Sequence, residues 1–224
     1  MSALRPLLAA AGLGLGVAAV SEPCPQPAGP AEAAAAAGMP TRRRLEFLAG
    51  RRAARRALRA VGLDCGEIPR RGRLPVFPPG RAASISHSAG IAVAVARVPG
   101  RDLPLGCDLE LRPLPREAAR LVLRADEESL LGDEETPPGA AWSVTELFSA
   151  KEAAWKALDA PEGAGGRAAG LRAASLRDLR ACPSGDGALV VGPRADPGLT
   201  VRVRVVRVGP GVFSYAVGRA GARG

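Results

Sequence analysis

Apolar and basic positions recur with helical spacing from residue 41 to 62: in TRRRLEFLAGRRAARRALRAVG, Phe47, Ala54, Leu58 and Val61 share one stripe. Thr41 is placed to cap this helix and Gly62 to close it. Arg44 and Arg51 flank the stripe, where core meets surface, while Arg52, Arg56 and Arg59 point away from it. RRGRLPVFPPGRAA follows as an extended loop set by Pro75, Pro78, Pro79 and Gly80. ASISHSAGIAVAVARV then reads as strand, turn and strand, with the turn near residues 88–90. LPLGCDLEL is a further short strand, and REAARLVLRADEESLL has the pattern of a helix. After a break at residues 137–139, a second helix runs from about 145 to 159. The tail carries three strands, ALVVG, LTVRVRVVRVG and VFSYAVGRA; in the middle one Leu199, Val201, Val203 and Val205 face away from Arg202 and Arg204.

Helices and strands alternate in both halves of the chain, so the pattern predicts an α+β fold of α/β-sandwich-like character. The organisation expected is an N-terminal half over 1–104, with 1–40 poorly defined, and a C-terminal half over 105–224. Residues 1–40 read as a short helix or strand followed by a loop rich in proline and alanine. The opening MSALRPLLAAAGLGLGVAAVSEP has the outline of a signal peptide. Its charged region is a single arginine, however, and glycines at 12, 14 and 16 interrupt the apolar helix such a signal needs.

Composition narrows this picture. The chain has 224 residues, 47% of them hydrophobic and 24% charged, as expected of a globular protein with an ordinary core. A formal charge of +9 points to an anionic partner, whether nucleic acid, a phosphorylated cofactor or an acidic protein. Aromatic residues make up 3%, and no aromatic-rich basic strand resembles a platform for single-stranded nucleic acid. Cys24, Cys65, Cys107 and Cys182 are widely spaced and His87 is the one histidine, which argues against the usual zinc sites and for reduced thiols in a cytoplasm. No stretch after the N-terminus is long enough to span a membrane.

Three short constellations carry possible chemistry. In GCDLE, Asp108 and Glu110 are two apart on a strand and emerge on one face, about 6–7 Å apart at Cα. Two such charges repel by roughly 2.5 kcal/mol at an effective dielectric of 20, a repulsion a hard divalent cation reverses; an ordinary polar strand face is the alternative. In LFSAKEAAWKAL, Glu152 and Lys156 are i,i+4 neighbours, either a surface ion pair or part of a lined cleft. Phe148, Trp155, Leu147 and Leu158 form the buried side, Glu152 lies beside Phe148, and Lys151 points into the apolar sector, where it must snorkel or meet an anion. These are the only lysines in a chain with 31 Lys and Arg. In SISHSAG, Ser86 and His87 point oppositely on a strand, so they do not make a nucleophile–base dyad, but both suit contacts to phosphate. No GxxxxGK or dinucleotide fingerprint is present.

Taken in order, SISHSAG, GCDLE and FSAKEAAWKAL resemble the signature of the 4′-phosphopantetheinyl transferases, in the enterobactin-synthase-type branch of large monomeric enzymes. The likeness extends upstream to RRRLEFLAGRRAARRAL and to the proline loop GRLPVFPPG, and covers about residues 42 to 159. Phe77 stands where that branch usually has tryptophan, and Cys107 where Ile or Val is common. The resemblance implies two pseudo-twofold-related halves, each a small sheet packed on helices, with coenzyme A bound between them. It implies transfer of 4′-phosphopantetheine from coenzyme A to a serine of an apo acyl or peptidyl carrier protein, with release of 3′,5′-ADP. Asp108, Glu110 and Glu152 would hold Mg²⁺, or Mn²⁺ in its place; Ser86 and His87 would contact phosphate; Arg51 and Arg73 would bind the nucleotide end, with Arg44 beside them. Lys156 and Lys151 would stabilise the transferring phosphate, and Glu152 would help deprotonate the attacking serine. A compact ammonium one turn beyond a metal-binding glutamate can follow a phosphate as it moves. The implied protein is a cytoplasmic monomer that binds neither nucleic acid nor membrane. The competing readings are a basic nucleic-acid-binding protein led by the arginine-rich helix, and a coenzyme A binder without catalysis.

Overall fold

The glycines at 14 and 16 lie in a strand and Gly12 in the turn before it, so they do not interrupt a helix. In the computed structural model, which describes residues 3–23, 26–100, 104–132, 141–159 and 173–219, a short helix α1 (Leu4–Ala10) leads into β1 (Leu13–Ala19). An alanine-rich helix α2 (Pro30–Ala37) starts with proline at its first position. The long helix α3 (Thr41–Arg59) follows. Next come a small hairpin of β2 (Arg70–Arg71) and β3 (Leu74–Pro75), then β4 (Ala83–Ser88) and β5 (Ile91–Arg97). These elements make a first unit, Met1–Leu105, whose three-stranded antiparallel sheet has the order β1-β5-β4.

Helix α3 lies against this sheet and buries Leu48, Ala53, Ala54, Ala57 and Leu58. The approach is close: a Cβ on Gly16 would overlap Ala53 O and lie 2.5 Å from Ala57 N. Only glycine on the strand and alanine on the helix permit it. Thr41 is not the cap the sequence suggests. It is the first helical residue, after Pro40, and no side chain caps the helix there.

The segment before residue 41 is tied to α3 by charge. Glu22 accepts from Arg52 Nη1 at 2.6 Å and from Arg56 at 2.8 and 2.9 Å. Glu32, fully buried on α2, accepts from Arg55 Nη1 at 2.5 Å and from the Ile68 amide at 2.7 Å. Much of the arginine-rich helix is therefore neutralised within its own unit.

The second unit, Gly106–Gly224, begins with β6 (Cys107–Glu110) and a short helix α4 (Ala119–Val122). Helix α5 (Val144–Leu158) follows, then strands β7 (Leu179–Ser184), β8 (Ala188–Pro193), β9 (Val201–Val208) and β10 (Gly211–Arg219). The sheet is antiparallel in the order β6-β10-β9-β8-β7, and α5 packs on it through Leu147, Ala150, Ala153 and Ala154 over Val191, Val201 and Val203. A capping box starts α5: Ser143 Oγ accepts from the Glu146 amide at 3.2 Å and the Ser143 amide donates to Glu146 Oε2 at 2.8 Å.

The helix expected from REAARLVLRADEESLL is broken into 3₁₀ turns at Arg116–Ala118 and Ala125–Leu130 with α4 between the first turn and an extended Arg124. The break leaves Val122 O free of the helical ladder and turns Glu127 inward, and both groups are used by α5. The break expected at residues 137–139 and Cys24 lie outside the described residues. Cys65, Cys107 and Cys182 are free thiols. The fold is α+β, and among the described residues no helix is long and apolar enough to cross a membrane.

Candidate functional site

Four of the sequence-selected residues meet or adjoin in the second unit. Strand β6 pairs with β10 in the register Leu109↔Phe213 and Asp108↔Ser214. By strand alternation Gly106, Asp108 and Glu110 share one face. That face is the one under α5, because a Cβ on Gly106 would overlap Ala153 O and lie 2.8 Å from Ala157 N. The bare glycine brings the last turns of α5 down onto β6, and so brings Glu152 and Lys156 to the carboxylates.

Lys156 Nζ donates to Asp108 Oδ1 at 2.8 Å and to Cys107 O at 3.1 Å, and lies 3.9 Å from Glu152 Oε2. Asp108 is 3% exposed. Glu110 is half-buried two residues along the same face. Burial pushes the Glu152 carboxyl up; Lys156 opposes this and Asp108 adds to it. Burial works against the Lys156 ammonium as well, but Asp108, Cys107 and Glu152 outweigh it and raise its pKa. The buried hydroxyl of Ser214, which sequence reading missed, has no hydrogen-bond partner among the described residues and sits directly opposite Asp108 in the ladder.

Among the described residues no three acidic, histidine or cysteine side chains are gathered closely enough to hold a metal ion as they stand. The donor set nevertheless suits a hard cation: Asp108 and Glu152 already converge on one positive charge, the Lys156 ammonium, with Glu110 on the same face.

Lys151 is not part of this cluster. It is fully buried, and Nζ donates to Val122 O at 2.8 Å, Leu179 O at 3.0 Å and Glu127 Oε2 at 2.9 Å. Glu127 in turn accepts from Arg194 Nη2 at 2.7 Å and from the Ala181 amide at 2.8 Å. All three ammonium donors are used, so the expected contact to a phosphate is replaced by an anchor for α5. The sequence reading that Lys151 must snorkel or meet an anion holds; the anion is Glu127.

In the first unit Arg51 is buried, donates from Nε to Ile68 O at 2.8 Å and stacks over the Phe47 ring at 4.4 Å. Its two terminal nitrogens make no hydrogen bond among the described residues. Burial pulls its pKa down to about 10, which leaves it a cation at neutral pH. Arg44 is exposed in the first turns of α3, and Arg73 is exposed at the turn of the β2–β3 hairpin. Ser86 is buried, and its neighbour His87 points to the other face of β4. There Arg43 Nη1 lies 3.3 Å from His87 Nε2, and Glu46 Oε2 lies 3.9 Å away. Arginine can only donate, so this contact needs the tautomer with its proton on Nδ1. Arg43 and Glu46 were not singled out by sequence; their place one turn apart at the start of α3 is the only signal they carry.

Residues 31–97, from α2 to the end of β5, match the model of the 4′-phosphopantetheinyl transferase N-terminal domain. Enterobactin synthase component D of Salmonella typhi is 37% identical over 122 residues, covering 52% of this chain and 49% of that protein. The protein of the same name from Escherichia coli O157:H7 is 37% identical over 131 residues, 55% of this chain and 59% of its own. The 4′-phosphopantetheinyl transferase Svp of Streptomyces mobaraensis is 36% identical over 131 residues, 57% of this chain and 53% of its own. The chain thus spans about half the length of the curated relatives it matches. Over these spans the chain is therefore similar to the 4′-phosphopantetheinyl transferase N-terminal domain, to enterobactin synthase component D and to a 4′-phosphopantetheinyl transferase.

Proposed function

We propose that the protein transfers 4′-phosphopantetheine from coenzyme A to a serine of an apo acyl or peptidyl carrier protein, releasing 3′,5′-ADP. The observation that carries this reading is the convergence of Asp108 and Glu152 on Lys156 in a chain that matches the family's N-terminal domain.

In this mechanism the carrier serine oxygen attacks the β-phosphorus of coenzyme A, the bond from that phosphorus to the bridging oxygen breaks, and 3′,5′-ADP leaves with the electron pair. Glu152, its proton affinity raised by burial, takes the serine proton. The Lys156 ammonium balances charge that builds on the phosphate oxygens. Asp108, Glu110 and Glu152 would hold Mg²⁺, or Mn²⁺ in its place, which supplies positive charge to the pyrophosphate. Arg51, with two terminal nitrogens unused, together with Arg44 and Arg73, would meet the phosphorylated nucleotide end, as would Ser86 and His87. We place the protein in the cytoplasm as a monomer.

Nucleic-acid binding loses its main support, because Arg52, Arg55 and Arg56 are paired with Glu22 and Glu32. The test is intact mass spectrometry of an apo carrier protein incubated with this chain, coenzyme A and Mg²⁺, against an EDTA control. A gain of one phosphopantetheine that EDTA abolishes supports the reading. No gain across several carrier types, despite coenzyme A binding, would leave a binder without catalysis. Glu152→Gln should abolish transfer.

A further inference from the structure

The contacts of Lys156 are at odds with its proposed task. An ammonium that stabilises a transferring phosphate has to face the substrate, yet Nζ is turned inward onto Asp108 Oδ1 at 2.8 Å and Cys107 O at 3.1 Å, with Glu152 Oε2 at 3.9 Å. We propose that Lys156 is the built-in counter-cation of the carboxylate cluster, and that a divalent cation arriving on Asp108 and Glu152 displaces the ammonium and frees it for the substrate. This rests on the reading that these carboxylates hold a divalent cation.

The argument is one of charge and space. Asp108 is 3% exposed and cannot turn to water, so its negative charge needs a cation from the protein or from solution. The ammonium supplies a single positive charge through hydrogen bonds near 3 Å. A hard divalent cation supplies two, through oxygen bonds of about 2.0–2.1 Å for Mg²⁺. The same Asp108 oxygen does not serve both at those distances, and two cations packed on one carboxylate repel each other. Lys156 can leave at small cost. It sits in the last turn of α5, its side chain is 29% exposed, and its four-carbon stem is flexible. Arginine would be a poor substitute, because its rigid fork would hold the carboxylate in two places. The device offsets part of the cluster's negative charge before loading and presents a free ammonium only after it.

The composition of the chain supplies the test. Lys151 and Lys156 are its only lysines, and Lys151 is fully buried with its donors occupied. Amine-directed acetylation of the unaltered chain, mapped by peptide mass spectrometry, therefore reports on Lys156 with Lys151 as an internal control. Saturating Mg²⁺ without coenzyme A should speed acetylation of Lys156 about five- to tenfold over EDTA and leave Lys151 unmodified. Mn²⁺ binding followed by electron paramagnetic resonance should tighten about tenfold in Lys156→Gln, which no longer competes. Binding of Mn²⁺ with Lys156 acetylation unchanged or slowed would overturn the displacement while leaving the metal reading intact. Absence of Mn²⁺ binding would overturn both. The carrier-protein mass assay decides the transfer reading separately.

Discussion

Lys151 Nζ and Glu127 Oε2 are 2.9 Å apart, and their side chains are 0% and 1% exposed. A buried ion pair of this kind holds an element in place more than it adds net stability, but removing one partner strands the other. Lys151→Met leaves Val122 O and Leu179 O without their donor and is expected to cost about 3–5 kcal/mol of unfolding free energy. Urea unfolding measures this. In the molecules that remain folded, the KM for coenzyme A should stay within about twofold of the parent. A large rise in that KM with stability unchanged would return Lys151 to a phosphate contact.

Gly106 sets the distance between β6 and α5. Gly106→Ala places a methyl group onto Ala153 O and 2.8 Å from Ala157 N, backbone atoms that cannot swing aside. Overpacking of this sort costs typically about 1–3 kcal/mol, and contact with backbone puts this case at the upper end. Because α5 carries Glu152 and Lys156, the shift should also lower kcat for transfer more than tenfold. The same substitution at Gly185, where a Cβ meets nothing within 4 Å, should leave kcat unchanged and serves as the control.

What the sequence made legible followed local periodicity. Alternation on β6 put Asp108 and Glu110 on one face, and i,i+4 spacing put Glu152 beside Lys156, so those residues were found without a fold. The partner of Lys151 was hidden because Glu127 lies 24 residues away, in a segment whose helical pattern conceals the extended Arg124. The glycines of β1 were legible as helix breakers, but their cause, the close passage of α3 over Gly16, is a tertiary contact. Alanines 33–37 read as part of a loop rich in proline and alanine and turn out to be the body of α2, anchored by Glu32 through Arg55 and Ile68. β7 was missed since LRACPS alternates only weakly and contains Pro183.

Glu22 links the chain beyond β1 to α3, and its pKa is pulled from 4.5 down to about 2, chiefly by its hydrogen bonds with Arg56, with Arg52 and the Ala19 amide adding to it against burial. The folded state therefore holds this proton more weakly than the unfolded chain does. The resulting stabilisation is complete above pH 4.5 and disappears as pH falls through 4.5 toward 2. Allowing for solvent screening of a partly exposed group, it is worth about 1–2 kcal/mol. Glu22→Gln should lower the unfolding free energy by that amount at pH 7 and match the parent near pH 2. A difference that persists unchanged at the acid end would mean that Glu22 acts through packing and not through charge.

Arg51 presents a buried guanidinium whose Nε is committed to Ile68 O while the two terminal nitrogens are unused among the described residues. Burial is costly for a cation with unused donors, and an anionic ligand recovers that cost. Arg51→Met keeps much of the packing over Phe47 but removes the charge and the donor to Ile68 O, so stability should fall by about 1–2 kcal/mol. The KM for coenzyme A should rise about tenfold with kcat within twofold, as for loss of binding that is equal in ground and transition states. Arg51→Lys keeps the charge without the fork and should fall between the two in KM. Dephospho-coenzyme A, which lacks the 3′-phosphate, separates the two ends of the nucleotide. If Arg51 meets that phosphate, the parent should lose affinity for the truncated substrate and Arg51→Met should show no further loss. An equal loss with both substrates would place Arg51 at another part of the coenzyme, and an unchanged KM would leave it a residue of the fold alone.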